Sequence, residues 1–473
     1  MRYFVQDRIF PQGKLAAALS RRTFLKAALA TAPYLYLAGC GSSSSSSATY
    51  DSVVVGSGMA GLAAASTLAA SGLSVLVLEG RNRIGGRTYT NTSTFAVPVD
   101  LGGQWFHQSP SNALRAYAAA HGYGLMAQSP ELFYNGTQPA PPQQYQPAES
   151  MIDALESEIE TAGEAASHGS PDESAAQATA NLVGQPWYQL GEAFIGPLDF
   201  ATAFPKLSSQ DFFNYSIPQP GDTMIAGGMG SFVASFAAGL NIQLATPVNA
   251  IAWGNSDGVQ LTTPRGTVRA RTAVVTTPMG GLAAGVIGFN PALPSAYLDA
   301  IAGLPMGNFE KIFLGFSRQV FDTPTNSLLF PLVDSLELAA VQAPLWGGNV
   351  AFCFVGGAQA RQLVSEGSAA MIAFAQQQVS NLFGSSILNY YQNALTTAWL
   401  NDPWTQGSYS YATPGNAGAR QQLAQPLADQ VFFAGEALSV EYCQTVNGAY
   451  LTGLTAANQV LAALGRPSIS QAA

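Results

Sequence analysis

The chain has 473 residues, 48% of them apolar and only 10% charged, with a formal charge of −9. That length admits two or three domains, and that composition supports a large core and argues against intrinsic disorder. Three cysteines exclude a disulfide scaffold, and the lack of a basic patch argues against a nucleic-acid partner.

The first 40 residues hold six Lys/Arg and one acid, so the remainder carries 13 basic and 27 acidic groups, or −14. Ser20-Arg21-Arg22-Thr23-Phe24-Leu25-Lys26 resembles a twin-arginine export signal. The apolar segment after it is too short to span a bilayer. It closes on Leu37-Ala38-Gly39-Cys40, which resembles a bacterial lipoprotein box. The expectation is an export signal over 1–40, a lipid anchor at Cys40 and a Ser-rich tether over 41–48. The location expected from this is the bacterial periplasm, with Gly41 slightly favouring the outer membrane.

Tyr50–Val55 is a valine-rich run that reads as a buried strand. Gly56-Ser57-Gly58-Met59-Ala60-Gly61 turns it into an alanine-rich helix ending near Gly72. Leu73–Leu78 is a second strand, with Glu79 at its carboxyl end, 23 residues after Gly56. This is a dinucleotide fingerprint in its proper frame. Gly56 permits the tight turn, Gly58 lets backbone approach a pyrophosphate, and Gly61 allows close helix–strand packing. The helix N-terminus, around Ala60, offers its N–H groups to phosphate, and Glu79 stands where a carboxylate takes ribose hydroxyls. Arg81, Arg83 and Gly85-Gly86-Arg87 follow directly.

Farther along, Val99-Asp100-Leu101-Gly102-Gly103-Gln104-Trp105-Phe106 reads as a strand end and a glycine turn. His107 has no partner at metal or triad spacing and reads as structural. Gln128–Pro147 reads as a loop, and Met151–Leu182 as helix broken at Gly169-Ser170-Pro171. Glu192 and Asp199 fall in an aromatic stretch, and either could hold a distal ammonium. Met224–Phe236 leads back towards the nucleotide fold, followed by strands near Asn241–Ala252, Gly258–Thr263, Thr267–Ala270 and Ala273–Thr277. Ile312–Phe316 is an apolar strand with Lys311 at its mouth. Outside the leader the only lysines are Lys206 and Lys311. A partly buried lysine has a lowered pKa, which suits proton handling. Cys353 and Cys443 are expected reduced and buried. On a strand, Tyr409 and Tyr411 would point the same way.

These motifs, together with Thr276-Thr277-Pro278-Met279-Gly280-Gly281, Trp399-Leu400-Asn401-Asp402-Pro403 through Gly407-Ser408-Tyr409-Ser410-Tyr411, and Ala434-Gly435-Glu436, resemble the flavin-containing amine oxidases. The resemblance covers nearly everything from Tyr50 to Val460. It implies an α/β FAD-binding domain, Rossmann-like and of glutathione-reductase type, over 49–125, 224–300 and 396–466. It also implies an α+β substrate domain on a mixed sheet over 126–223 and 301–395. The implied FAD contacts are Gly56, Gly58, Ala60, Gly61, Glu79, Arg81, Gly86, Arg87, Gly102, Gly103, Gln104, Trp105, Val248, Gly435, Glu436, Thr445 and Val446. The implied catalytic set is Lys311, holding a water at flavin N5, with Tyr409, Tyr411, Thr445 and Trp399.

No cysteine lies near Ser408, where some members attach FAD, so the cofactor is expected to be non-covalent. Thr445 replaces a second cage tyrosine. The implied reaction is hydride transfer from a primary or secondary amine or a polyamine to FAD, leaving an imine. The implied partners are a small-molecule amine and O2 or a periplasmic electron acceptor, and a homodimer stays open. An L-amino-acid oxidase, another FAD oxidoreductase of the same fold, and a non-enzymatic FAD-binding protein are the competing readings.

Overall fold

The structure, a computed structural model, describes residues 49–107, 112–129, 131–215 and 222–469. The leader and tether read from residues 1–48 lie outside these. Among the described residues no helix is long and apolar enough to cross a membrane.

An eight-stranded sheet carries the fingerprint. Its parallel centre is Thr49–Val55, flanked by Val75–Leu78 on one side and Gly266–Val275 on the other. The upper half of Gly266–Val275 also pairs in parallel with Val431–Phe433. Its lower half pairs antiparallel with Gly258–Thr263, the hairpin expected from the alternation there. These strands are near-continuous apolar runs because helices cover both faces. Helix Met59–Ala70 runs back from the glycine turn. It meets the last helix, Val446–Ala463, closely enough that a side chain at Gly453 would lie 2.3 Å from Ala60 O.

A second, seven-stranded sheet runs Tyr391–Thr396, Phe309–Phe316, Val350–Gly356, Ala339–Ala343, Ser327–Pro331, Glu131–Asn135, Gln138–Pro139. Only the pair Ser327–Pro331 with Glu131–Asn135 is parallel, so the sheet is mixed as expected. One face buries Phe313, Phe330 and Phe352 against helices from the middle of the chain.

Two local expectations are corrected here. Gln128–Pro147 is not a loop: it forms a hairpin, and Pro142 opens a 26-residue helix, Pro142–Ser167. Proline is tolerated at a helix start, and burial of Ile152, Leu155 and Ile159 offsets the internal Pro147. Lys311 is not at a strand mouth. The strand begins at Phe309, and Lys311 lies inside it, 2% exposed.

The helix Tyr188–Ala193 passes into a π-helical segment, Phe194–Phe200. Gly356 allows that segment to sit against the second sheet, since a Cβ there would fall 1.7 Å from Pro197 O.

Candidate active site

Both sheets contribute to one large cavity of about 370 Å³. Its nucleotide end is built from the glycine turn. Gly56 takes φ +104, and a Cβ on Gly61 would fall 2.0 Å from Gly56 O, so helix and strand touch through backbone. Gly61 therefore shapes the turn without lining the cavity. Glu79, 5% exposed, accepts from Ser57 N and Oγ and from Arg81 N, each at 2.8 Å. Arg81 pairs with Asp402. Arg87 donates to Glu436 Oε1 at 2.8 Å and to Ser408 O at 2.9 Å.

The remaining expected cofactor contacts, from Gly56, Gly58 and Ala60 through Val248 to Gly435, Glu436, Thr445 and Val446, all line this cavity. A Cβ on Gly58 would meet only Gly86 Cα, at 3.9 Å, and one on Gly435 would meet nothing within 4 Å. The chain thus presents bare backbone to a space it does not fill. Trp105 Nε1, Gln444 Nε2 and Gln128 Oε1 border that space, buried and without hydrogen-bond partners. Residues arranged so fit a long dinucleotide with polar atoms at both ends.

Lys311 stands in the wall. Its Nζ donates to Asp100 O at 3.1 Å, Gly102 O at 3.0 Å and Gln104 Oε1 at 2.8 Å. It also lies 4.8 Å from the centre of the Trp105 ring and 4.9 Å from that of Phe352. Burial pushes its pKa down to about 7, with the neighbouring Asp100 charge acting the other way. Gln104 is held in turn by Gln342, through Nε2 to Oε1 at 2.7 Å. The lysine therefore grips the turn 100–104 with all three of its protons.

Tyr409 lines the cavity, and its ring lies 5.9 Å from that of Phe309. Tyr411 does not line it and packs into the core beside the second sheet, 6% exposed. The segment makes one isolated bridge, Met306 to Ser410, and no strand. Trp399 lines the cavity and donates its indole N–H to Leu101 O. Thr445 lines it too, but its hydroxyl is engaged as the N-cap of Val446–Ala463, accepting from Gly448 N at 2.9 Å and donating to Tyr442 O.

The far wall is acidic. Asp199 lines it from the π-helical segment, next to Leu198, whose carbonyl accepts from Tyr409 Oη at 3.4 Å. Glu192 does not reach it. Glu131, Asp222 and His107 join Asp199, and His107 Nδ1 lies 3.1 Å from Asp222 Oδ1. Burial pushes the Asp199 carboxyl up to about 7. Burial, followed by the Asp199 and Asp222 charges, pushes Glu131 up to about 8. Burial opposes charge on His107, but Asp222 outweighs it and holds the imidazole above its ordinary value. His107, read as structural, is satisfied by Asp222 and also lines the cavity. The alternation Trp105, Phe106, His107 held the signal: Phe106 is in the core, so its two neighbours face the other way. Glu131 and Asp222 carry no comparable mark in the sequence.

Residues 59–461 match the family of flavin containing amine oxidoreductases, and the chain belongs to that family. It is 28% identical over 437 residues to the human lysine-specific histone demethylase 2, matching 87% of this chain and 53% of the relative. It is 29% identical over 445 residues to polyamine oxidase 3 of Oryza sativa subsp. japonica, covering 87% of this chain and 89% of that one. The chain spans about half the length of the demethylase relatives it matches. Wild-type putrescine oxidase, solved bound to putrescine, superposes with a TM-score of 0.72 at 20% identity, over 88% of this chain and 99% of the other. That likeness is one of fold.

Proposed function

We propose that the enzyme oxidises a di- or polyamine at the carbon beside one nitrogen, using non-covalently bound FAD. The carrying observation is a single cavity whose wall holds Lys311 and Tyr409 together with the carboxyls of Asp199, Glu131 and Asp222. Ring contacts join Trp105 to Phe354, Phe354 to Phe309 and Phe309 to Tyr409, so the middle of the cavity is apolar.

When bound in the cradle, FAD supplies the acceptor for a hydride. Gly58, Gly86 and Arg87 would hold its pyrophosphate, and Glu79 its ribose. The apolar middle disfavours a charged amine, so the nitrogen that enters it is neutral. Asp199, with Asp222 and Glu131 beside it, holds the second nitrogen as an ammonium, whose charge draws the raised carboxyls back towards their ionised form and fixes the distance to the reacting carbon. Tyr409 and Phe309 narrow the slot in which that carbon sits.

An amino-acid oxidase is less well supported. Among the described residues the arginines lining the cavity are Arg81 and Arg87, both at the nucleotide end and both paired with carboxylates.

An anaerobic screen of monoamines, diamines, polyamines and amino acids, scored by flavin bleaching, tests the reading. Diamines and polyamines should bleach at least about tenfold more efficiently than monoamines of equal length, the worth of one charge-assisted contact. Bleaching by amino acids alone would overturn it.

Asp199→Asn should raise KM for diamines by about tenfold and leave monoamines unaffected. It should also alter stability. A carboxyl whose folded pKa is raised to about 7 binds more protons folded than unfolded, so stability falls as pH rises from about 4 to about 7. The variant should flatten that decline in thermal scans. A parallel decline in both proteins would show that Asp199 does not titrate as described.

A further inference from the structure

Behind the cavity wall lies a run of buried charge. Arg420 is fully buried. Its Nε and Nη2 donate to the two oxygens of Asp211, each at 2.7 Å. Its Nη1 donates to Ser410 Oγ at 3.0 Å and to Ala437 O at 2.8 Å. Ser410 Oγ donates onward to Glu436 Oε2 at 2.9 Å. Glu436 accepts from Arg87 on its other oxygen. The run starts on helix Ser209–Asn214, which packs against Pro142–Ser167, and ends on the cavity wall at Glu436 and Arg87.

We propose that Asp211 and Arg420 are positioning residues for FAD: through Ser410 and Glu436 this buried ion pair, and not the seating of the helix start, sets the shape of the nucleotide site.

The argument is one of shared charge. One guanidinium serves two carboxylates. The two-point contact with Asp211 fixes its plane and leaves Nη1 aimed at Ser410. Glu436 divides its own capacity among Arg87, Ser410 and the backbone N–H of Gln444 at 2.9 Å. Gln444 directly precedes Thr445, the cap of the last helix, so Glu436 sets both Arg87 and that helix start. If Asp211 loses its charge, Arg420 is left with Ser410 Oγ and Ala437 O, and Glu436, one hydroxyl away, is the carboxylate that remains to balance it. The pull on Ser410 then shifts Glu436, and with it Arg87 and the start of the last helix. An uncompensated buried arginine also costs stability, so an independent break in the run is needed. Ser410→Ala supplies it, because it removes the middle hydroxyl and leaves every charge in place.

Asp172 provides the contrast. It accepts from Ser208 Oγ, Gln210 N and Gly415 N, so it anchors the start of the same helix without touching the run. The test uses the full chain, stripped of flavin and titrated with FAD by fluorescence. Asp211→Asn and Ser410→Ala should each weaken FAD binding by about tenfold, the loss of one buried charge-assisted bond. Asp172→Asn should stay within about twofold while lowering the melting temperature. If Asp211→Asn does not fold, Ser410→Ala carries the test alone. The proposal rests on FAD filling the cavity, and wild type that takes up no FAD would overturn both. Wild-type binding that is unchanged in Ser410→Ala, or equally weakened in Asp172→Asn, would overturn the relay alone.

Discussion

Lys311→Met should slow reoxidation of the reduced flavin by O2 by about a hundredfold, the low end of what a positioned proton donor contributes. Methionine keeps the length of the side chain but loses the charge over the Trp105 and Phe352 rings and offers no proton to Asp100 O, Gly102 O or Gln104 Oε1. An ammonium has three N–H bonds and the neutral amine two. Because all three are used, losing a proton must release one of these oxygens and expose a lone pair. With a pKa near 7 that exchange falls in the working range of pH. Wild-type reoxidation should therefore fall as pH rises through about 7, and the variant should show no such step. Stopped-flow mixing of reduced enzyme with O2 reads both. Unchanged rates would remove Lys311 from the oxidative half-reaction.

The stability linkage has its own sign. A lysine lowered from 10.5 to about 7 binds more protons unfolded than folded between those values. Its contribution therefore makes the wild type more stable as pH rises across that interval.

The second large effect separates two glycines of one motif. Gly61→Ala places a methyl 2.0 Å from Gly56 O, which is backbone and cannot rotate away. We expect about 3 kcal/mol of destabilisation, the upper part of the overpacking range, and loss of FAD together with fold. Gly58→Ala points its methyl at Gly86 Cα, 3.9 Å away, and otherwise into the cavity. That variant should melt within about 1 kcal/mol of wild type without cofactor and still fail to retain FAD, because the methyl occupies the approach of the pyrophosphate. Chemical denaturation of the apo forms, with FAD retention after gel filtration, distinguishes them. Equal melting of the two would mean that the helix tolerates displacement.

That contrast also shows why the fingerprint was legible. Strand, turn and helix there are local: Gly56 supplies the positive φ of the turn and Gly61 must clear Gly56 O. Lys311 was conspicuous because the chain so rarely uses lysine, although its depth in the strand was not. The acidic wall is different. Asp199, Glu131, Asp222 and His107 come from four separated segments, brought together by the π-helical segment, the second sheet and the pairing of Phe106 with Thr223. No period relates them. Alternation named Tyr409 and Tyr411 together and did not choose between them; Tyr409 reaches the cavity, and Tyr411 is taken up by the core beside the second sheet. The loop read at Gln128–Pro147 failed because proline marks a helix start as readily as a turn, and burial of Ile152 and Leu155 decides between them.

The seven-residue π-helical segment Phe194–Phe200 has a consequence for how this cavity could be re-tooled. A π-turn holds one residue more than an α-turn. The loss of a single residue before Leu198 would therefore be taken up by a return to ordinary winding, with the residues beyond it keeping their phase on the wall. The same loss from an ordinary helix would turn everything after it by about 100°. The segment can thus change length by one residue while Asp199 keeps its place, which makes this stretch of the wall tolerant of insertion and deletion.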